Sequence, residues 1–183
     1  MTDGHEPRLF ADDEAIRHIG EGLLACSLER PEWTHEAHLA ACLWLIVERP
    51  DVDPERDLRG LISRFNESVG GINDDTQGYH HSITLAFVRA VRHYLATTEP
   101  GLKLVDKVNG LLAAPEGRRE WPLRFYTPER LFSVEARRGW VEPDLAPLPI
   151  TCHSRESGNP VEAQAGLGRG QEGLDPRLRG DDV

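Results

Sequence analysis

The sequence has few cysteines, a shortage of positive charge and no long hydrophobic run, and each shortage excludes a class of protein. Three cysteines without CxxC spacing predict neither a disulfide framework nor a zinc knuckle. Lysine and arginine together number 21 against 31 acidic residues, and the formal net charge of −10 argues against a nucleic-acid partner. The longest apolar run, residues 39–47, is far too short to span a bilayer.

Targeting and nucleotide-binding motifs are also missing. Acidic residues interrupt the first part of the chain, which therefore has no apolar segment of the kind found in signal peptides. There is no Walker loop, Rossmann fingerprint or GxSxG motif. We expect a cytoplasmic protein with no membrane partner and no nucleotide cofactor, and the sequence leaves its oligomeric state undetermined.

The segment from residue 151 to residue 183 differs in composition from everything before it. It has no aromatic residue, many glycines and only scattered valine and leucine. Such a segment buries too little apolar surface to offset the entropy of the chain, so we predict that it is disordered. The folded domain is then predicted to span residues 1–150, which is long enough to bury a sizeable core.

Two stretches of this tail, residues 153–160 and 174–182, resemble the arms of a dispersed bacterial DNA repeat translated in frame. The resemblance covers most of the tail. It implies that the tail is a product of the repeat and that Cys152 and His153 belong to no functional site.

Every clear periodicity before the tail is helical. Apolar residues recur at intervals of three and four, and no window alternates strictly in the manner of a strand. The pattern predicts an all-α fold, a single-domain bundle of five to seven helices. Helices are predicted over residues 12–28, 35–49, 54–69, 79–97 and 102–113, with shorter ones after Pro128 and after Ser133.

Two details of these helices depend on packing. Gly20 and Gly22 weaken the first helix by about 1 kcal/mol each relative to alanine, unless a neighbouring helix approaches closely there. On the fourth helix, the angular positions place His80 in the middle of the buried stripe and Ser82 on the opposite side.

Histidines at the starts of two apolar helices are the main candidates for a site. His35 and His38 are three positions apart on one helix face, a spacing that lets two imidazoles bind one ion. With His80 as a third ligand, they would hold one divalent metal ion, zinc, iron, manganese or nickel. His-x-x-His is a weak motif, however, and buried histidines that only bond to backbone carbonyls are common.

A site without metal is the alternative for the same histidines. The positive end of a helix disfavours imidazolium, so a neutral His80 beside Tyr79 is positioned to move a proton. Asp74 and Asp75 are candidates for an added carboxylate ligand. The residues predicted to contact a substrate are Trp33, Asn73, Thr84, Arg124 and Arg130.

The order of these motifs resembles a family of small bacterial helical proteins of uncharacterised function. The resemblance is carried by WTHxxHL at Trp33, GYHxxIT at Gly78, YxPxxLFS at Tyr126 and VEPD at Val141, and it spans about Trp33 to Pro149. It implies no activity. The family often has an acidic residue where this chain has His81, which implies either a substitute ligand or a loss.

Two functional hypotheses follow. The first is a small enzyme that acts on a small polar substrate, with its pocket between the starts of helices 35–49 and 79–97 and with metal or histidine acid–base chemistry. The second is a non-catalytic helical module that binds a small ligand or a protein and has structural buried histidines.

Overall fold

The structure is a computed structural model, and it describes residues 7–149. All regular secondary structure in this range is helical, which confirms the all-α prediction. The α-helices of this range are α1 (Asp13–Ala25), α2 (His35–Glu48), α3 (Pro54–Ser68), α4 (His81–Thr97), α5 (Leu104–Ala113), α6 (Pro128–Leu131) and α7 (Val134–Arg138). Three 3₁₀ turns, Arg30–Glu32, Pro115–Gly117 and Trp121–Arg124, connect them. The predictions for the tail fall outside the described residues.

Polar N-caps begin the long helices where the sequence predicts them. The Asp12 carboxylate accepts the Ala15 N–H at 2.9 Å, and the Thr34 hydroxyl accepts the Ala37 N–H at 3.3 Å. Asp53 caps α3, with Pro54 at the first helical position. The fourth helix begins two residues later than predicted, at His81, because His80 is its N-cap.

Helix α2 is the centre of the main hydrophobic core. Residues 39–45 are all buried, and the helix packs against α1, α3, α4 and α5. Its closest neighbour is α1, where the ring of Trp44 lies against the backbone of Gly20. A Cβ atom at Gly20 would lie 2.1 Å from Cε3 of Trp44. Gly20 therefore allows α1 and α2 to approach closely.

A second, smaller core forms where the chain after α5 returns over α4. Its buried residues are Ala86 and Ala90 of α4 together with Trp121, Tyr126, Leu131, Ala136, Val141 and Leu148. The prediction that Ser82 lies on the solvent side of α4 is wrong, because this returning segment covers it. The Ser82 side chain is fully buried, donates to the Gly139 carbonyl at 2.8 Å and accepts the Val141 N–H at 3.1 Å.

Within the range 7–149, no helix has the length and apolar character needed to cross a membrane.

Candidate imidazole site and cavity

His35 and His38 lie in the first turn of α2, where Thr34 caps the helix, and both rings bond to backbone carbonyls. Nε2 of His35 donates to the Gly117 carbonyl at 2.8 Å, and Nδ1 of His38 donates to the Thr34 carbonyl at 2.6 Å. A carbonyl only accepts, so in each neutral ring the proton must sit on the bonded nitrogen. The lone pair of each ring is therefore on the other nitrogen, Nδ1 of His35 and Nε2 of His38.

Aromatic side chains surround these two rings. Trp33 stacks on His38, with ring centroids 4.0 Å apart, and also contacts Phe65 at 5.2 Å. His35 meets Phe87 of α4 edge-on at 5.3 Å. The indole Nε1 of Trp33, one of the predicted substrate contacts, is buried and has no hydrogen-bond partner among residues 7–149.

Burial keeps both rings of α2 neutral. It lowers the pKa of His38 to about 4, against the opposing effect of the Thr34 carbonyl, and it also lowers the pKa of His35. The nearby Arg119 adds to both shifts. At neutral pH these residues therefore act as hydrogen-bonding groups without charge.

His80, the N-cap of α4, is the third member of the predicted site. Its Nδ1 accepts the Ile83 N–H at 3.4 Å, so the neutral ring carries its proton on Nε2. The residue is 8% exposed, and Nε2 is buried with no hydrogen-bond partner within the described chain. Burial first and then Arg137 lower the pKa of His80 to about 4, while the Leu131 carbonyl opposes the shift.

The buried neutral histidines predict that the protein loses stability in mild acid. The pKa values of His38 and His80, about 4 in the folded chain, lie below the value of about 6.5 expected after unfolding. The unfolded chain then binds more protons, so their contribution is complete above pH about 6.5 and is lost as the pH falls towards about 4. We expect a loss on the order of 2 kcal/mol per ring, measured by urea unfolding across this range.

Variants that remove one ring separate this effect from carboxylate titration. His38→Gln and His80→Asn should each flatten the dependence of the free energy of unfolding on pH in this interval. If both variants keep the wild-type slope, the buried rings are not its cause.

Tyr79 pairs with the residue after His80. Its hydroxyl lies 3.0 Å from Nδ1 of His81, and burial raises the pKa of Tyr79, against smaller effects of Thr84 and Arg59. Thr84, a predicted substrate contact, donates its hydroxyl to the His80 carbonyl at 2.8 Å. His81, at the position where the resembling family often has an acidic residue, is thus the hydrogen-bond partner of Tyr79. The sequence did not indicate this pairing.

Asn73 connects the loop before α4 to α3 through hydrogen bonds. Its Oδ1 accepts bonds from Nδ2 of Asn66 and from the Tyr79 N–H, both at 3.0 Å. Its Nδ2 donates to the Ser63 carbonyl at 3.0 Å. Gly78 allows this closure, because its φ is +77° and a Cβ there would lie 2.6 Å from Oδ1 of Asn73. Asn73 therefore positions Tyr79 and His80, and its amide is occupied by bonds within the chain.

The other polar residues predicted near the site also make contacts within the chain or face solvent. Arg124 is exposed, and Arg130 donates to the Glu142 carbonyl at 3.1 Å. Asp74 accepts the N–H groups of Thr76 and Gln77 within its own loop. Asp75 forms an ion pair with Arg138 at 2.6 Å.

Residues 7–149 contain no group of three or more His, Cys, Asp or Glu side chains placed to hold one metal ion. In His35 and His38 only the ring nitrogens that bond to Gly117 and Thr34 are occupied, and the other nitrogen of each ring keeps its lone pair. The ligand set of His35, His38 and His80 stays a prediction. The divalent metal itself stays a prediction.

A cavity of about 620 Å³ lies at the starts of α1 and α2, on the side of α2 that carries Glu36. We call it the α1–α2 cavity. Its lining residues are Arg8, Leu9, Phe10, Ala11, Asp12, Glu14, Ala15, His18, Ile19, Glu32, Thr34, Glu36 and Ala37. Paired bonds between Phe10 and the amide of Asn109, both 2.9 Å, anchor the N-terminal segment that forms one wall.

Glu36 is a buried carboxylate in the lining of this cavity. It is 5% exposed. Burial raises its pKa, but its own backbone N–H, the Thr34 hydroxyl and Arg119 more than offset this, so its pKa is lowered and it is ionised at neutral pH. The sequence did not indicate this cavity, because two separate segments of the chain, residues 8–19 and 32–37, form it. The one available signal was that Glu36 points away from the histidine face of α2.

Comparison with protein-family models, curated proteins and solved structures gives no match for this chain.

Proposed function

We propose that the protein binds a small organic cation in the α1–α2 cavity. The observation that carries the proposal is the volume of about 620 Å³, within the range of about 300–1,000 Å³ typical of small-molecule sites. This corresponds to the second hypothesis, a ligand-binding helical module, and the cavity lies on the face of α2 opposite the predicted histidine site.

The lining of the cavity favours an amphipathic ligand with one positive charge. Apolar side chains, among them Phe10, Ile19 and Ala37, offer contact surface for a hydrocarbon group. Four carboxylates contribute negative charge, whereas Arg8 is the one arginine in the lining and His18 already bonds to Glu32 at 2.9 Å. A cation that enters beside the buried, ionised Glu36 gains more than it would at the surface, because the interaction is less screened.

A charge series on one hydrocarbon body tests this proposal. Phenethylamine, phenethyl alcohol and hydrocinnamate carry positive, zero and negative charge at neutral pH on similar aromatic bodies. We expect the amine to bind best, with NMR shifts concentrated on residues of the α1–α2 cavity. Equal binding of the alcohol, or shifts confined to other surfaces, would contradict the proposal.

Two variants and one matched control locate the binding. Glu36→Gln removes the buried charge without changing size and should weaken phenethylamine binding about tenfold, which corresponds to about 1.4 kcal/mol. Ala15→Leu should reduce the binding of all three probes, because it fills the cavity. Glu21→Gln, an exposed position on α1 outside the lining, should leave binding unchanged.

A further inference from the structure

We infer that the start of α4 is a binding site for a small oxyanion, held by Nε2–H of His80 and the guanidinium of Arg137. This site is separate from the α1–α2 cavity and would take a ligand of opposite charge. It also assigns His80 a role other than metal ligation or proton transfer.

The first observation is the unpartnered donor. The hydrogen bond from Ile83 N–H fixes the proton of His80 on Nε2, so this atom is an N–H donor. It is buried in a residue that is only 8% exposed, and no group within residues 7–149 forms a hydrogen bond of good geometry with it, although the Leu131 carbonyl lies near the ring. Most buried donors in proteins are satisfied, so an exception of this kind marks a position where a water or a ligand oxygen is able to accept the bond.

The second observation is the helix on which His80 sits. Helix α4 has 17 residues, and its N-terminus provides the positive end of the helix dipole, although the Ile83 N–H already bonds to Nδ1 of His80. As the N-cap, His80 lies at the end of the helix where this potential is largest. Helix N-termini of this kind favour phosphate and carboxylate groups over neutral ligands.

The third observation is the charge around the ring. Nη1 of Arg137 donates to the carbonyls of Gly78 at 3.3 Å and Tyr79 at 3.2 Å, which holds the guanidinium beside the start of α4. Arg59 is a second cationic side chain in this region, since its charge acts to lower the pKa values of both Tyr79 and His81. In a chain with a net charge of −10, this clustering of cationic side chains around one helix start favours an anion.

Because His80 is only 8% exposed, the inferred site requires neighbouring groups to move as an anion enters. Arg137 is half-buried and has a long side chain, so its guanidinium is able to turn towards an anion at the ring. After entry, the guanidinium and Nε2–H of His80 both have donors for the oxyanion. Hydrogen bonds of this charge-assisted type are about twice as strong as neutral ones.

NMR on the full-length chain tests the inference, with inorganic phosphate and acetate as probes and chloride at equal ionic strength as the reference. We expect at least one oxyanion to shift Nε2–H of His80 and the amides of residues 81–83 in a saturable manner, beyond any effect of chloride. If neither oxyanion does more than chloride, the inference is overturned.

Three variants complete the test. His80→Asn keeps an N-cap acceptor but removes Nε2–H, and Arg137→Met removes the charge; each should weaken oxyanion binding about tenfold or more. Arg138→Met, the exposed neighbour that pairs with Asp75, should bind as the wild type does. Circular dichroism checks that each variant folds. Wild-type binding in a folded His80→Asn protein overturns the inference even if Arg137→Met does not fold.

Discussion

Replacing Gly20 with alanine is expected to lower the free energy of unfolding by about 2 kcal/mol or more, although alanine is the better helix former. The added Cβ would lie 2.1 Å from Cε3 of Trp44, a distance at which the ring or the helix must move. The ring is held in place, because its Nε1 donates to Glu48 at 2.9 Å and Glu48 is paired with Arg17 at 2.8 Å. Urea unfolding of the variant and the wild type measures the loss.

Gly60→Ala is the matched control for this prediction. Gly60 lies inside α3, is exposed, and its nearest described contact for a new Cβ is Nη1 of Arg64 at 3.9 Å. Alanine there should raise the free energy of unfolding by about 0.5–1 kcal/mol, because it only lowers the entropy of the unfolded chain and improves helix propensity. Equal effects of the two substitutions would show that the contact between Gly20 and Trp44 does not limit packing.

Replacing Ser82 with alanine is expected to cost about 2–4 kcal/mol and to loosen the second core selectively. The hydroxyl satisfies two backbone groups, the Gly139 carbonyl and the Val141 N–H, on a side chain that is fully buried. Alanine leaves both groups without this partner. Hydrogen exchange at the Val141 amide should therefore accelerate more than exchange in α2, and urea unfolding should give the total loss.

Ser68→Ala serves as the control for Ser82. The Ser68 hydroxyl also donates to a backbone carbonyl, that of Phe65 at 2.8 Å, but the residue is exposed at the end of α3. Water replaces the lost bond there, so the change should stay within about 0.5 kcal/mol. If Ser82→Ala is equally mild, the segment after α7 contributes little to the stability of α4.

The predicted helices agree with the observed ones because the apolar residues repeat with helical spacing and the caps are local. Asp12, Thr34 and Asp53 each accept a backbone N–H two or three residues further along the chain, an interaction that needs no tertiary contact. The positions of His35 and His38 in one turn followed from the same local geometry. Ser82 was placed wrongly because helical spacing alone does not show that a second segment covers the opposite side of α4.

The candidate site was less predictable than the helices, because it depends on which partners the rings find. A sequence places His35, His38 and His80 near helix starts, but it does not show that Gly117 and Thr34 accept bonds from two of these rings. The carbonyl of Gly117 comes from a 3₁₀ turn that is 82 residues distant in the chain. The α1–α2 cavity likewise needs Asn109 to hold the segment around Phe10.

The sequence by itself determined the helical class, the helix starts and the apolar character of α2, since these depend on spacing and capping within a few residues. The tertiary structure alone decided that Ser82 is buried, that Glu36 lines a cavity and that Nε2 of His80 has no partner among residues 7–149. Burial and hydrogen-bond satisfaction are set by groups far apart in the chain, so a local pattern does not contain them.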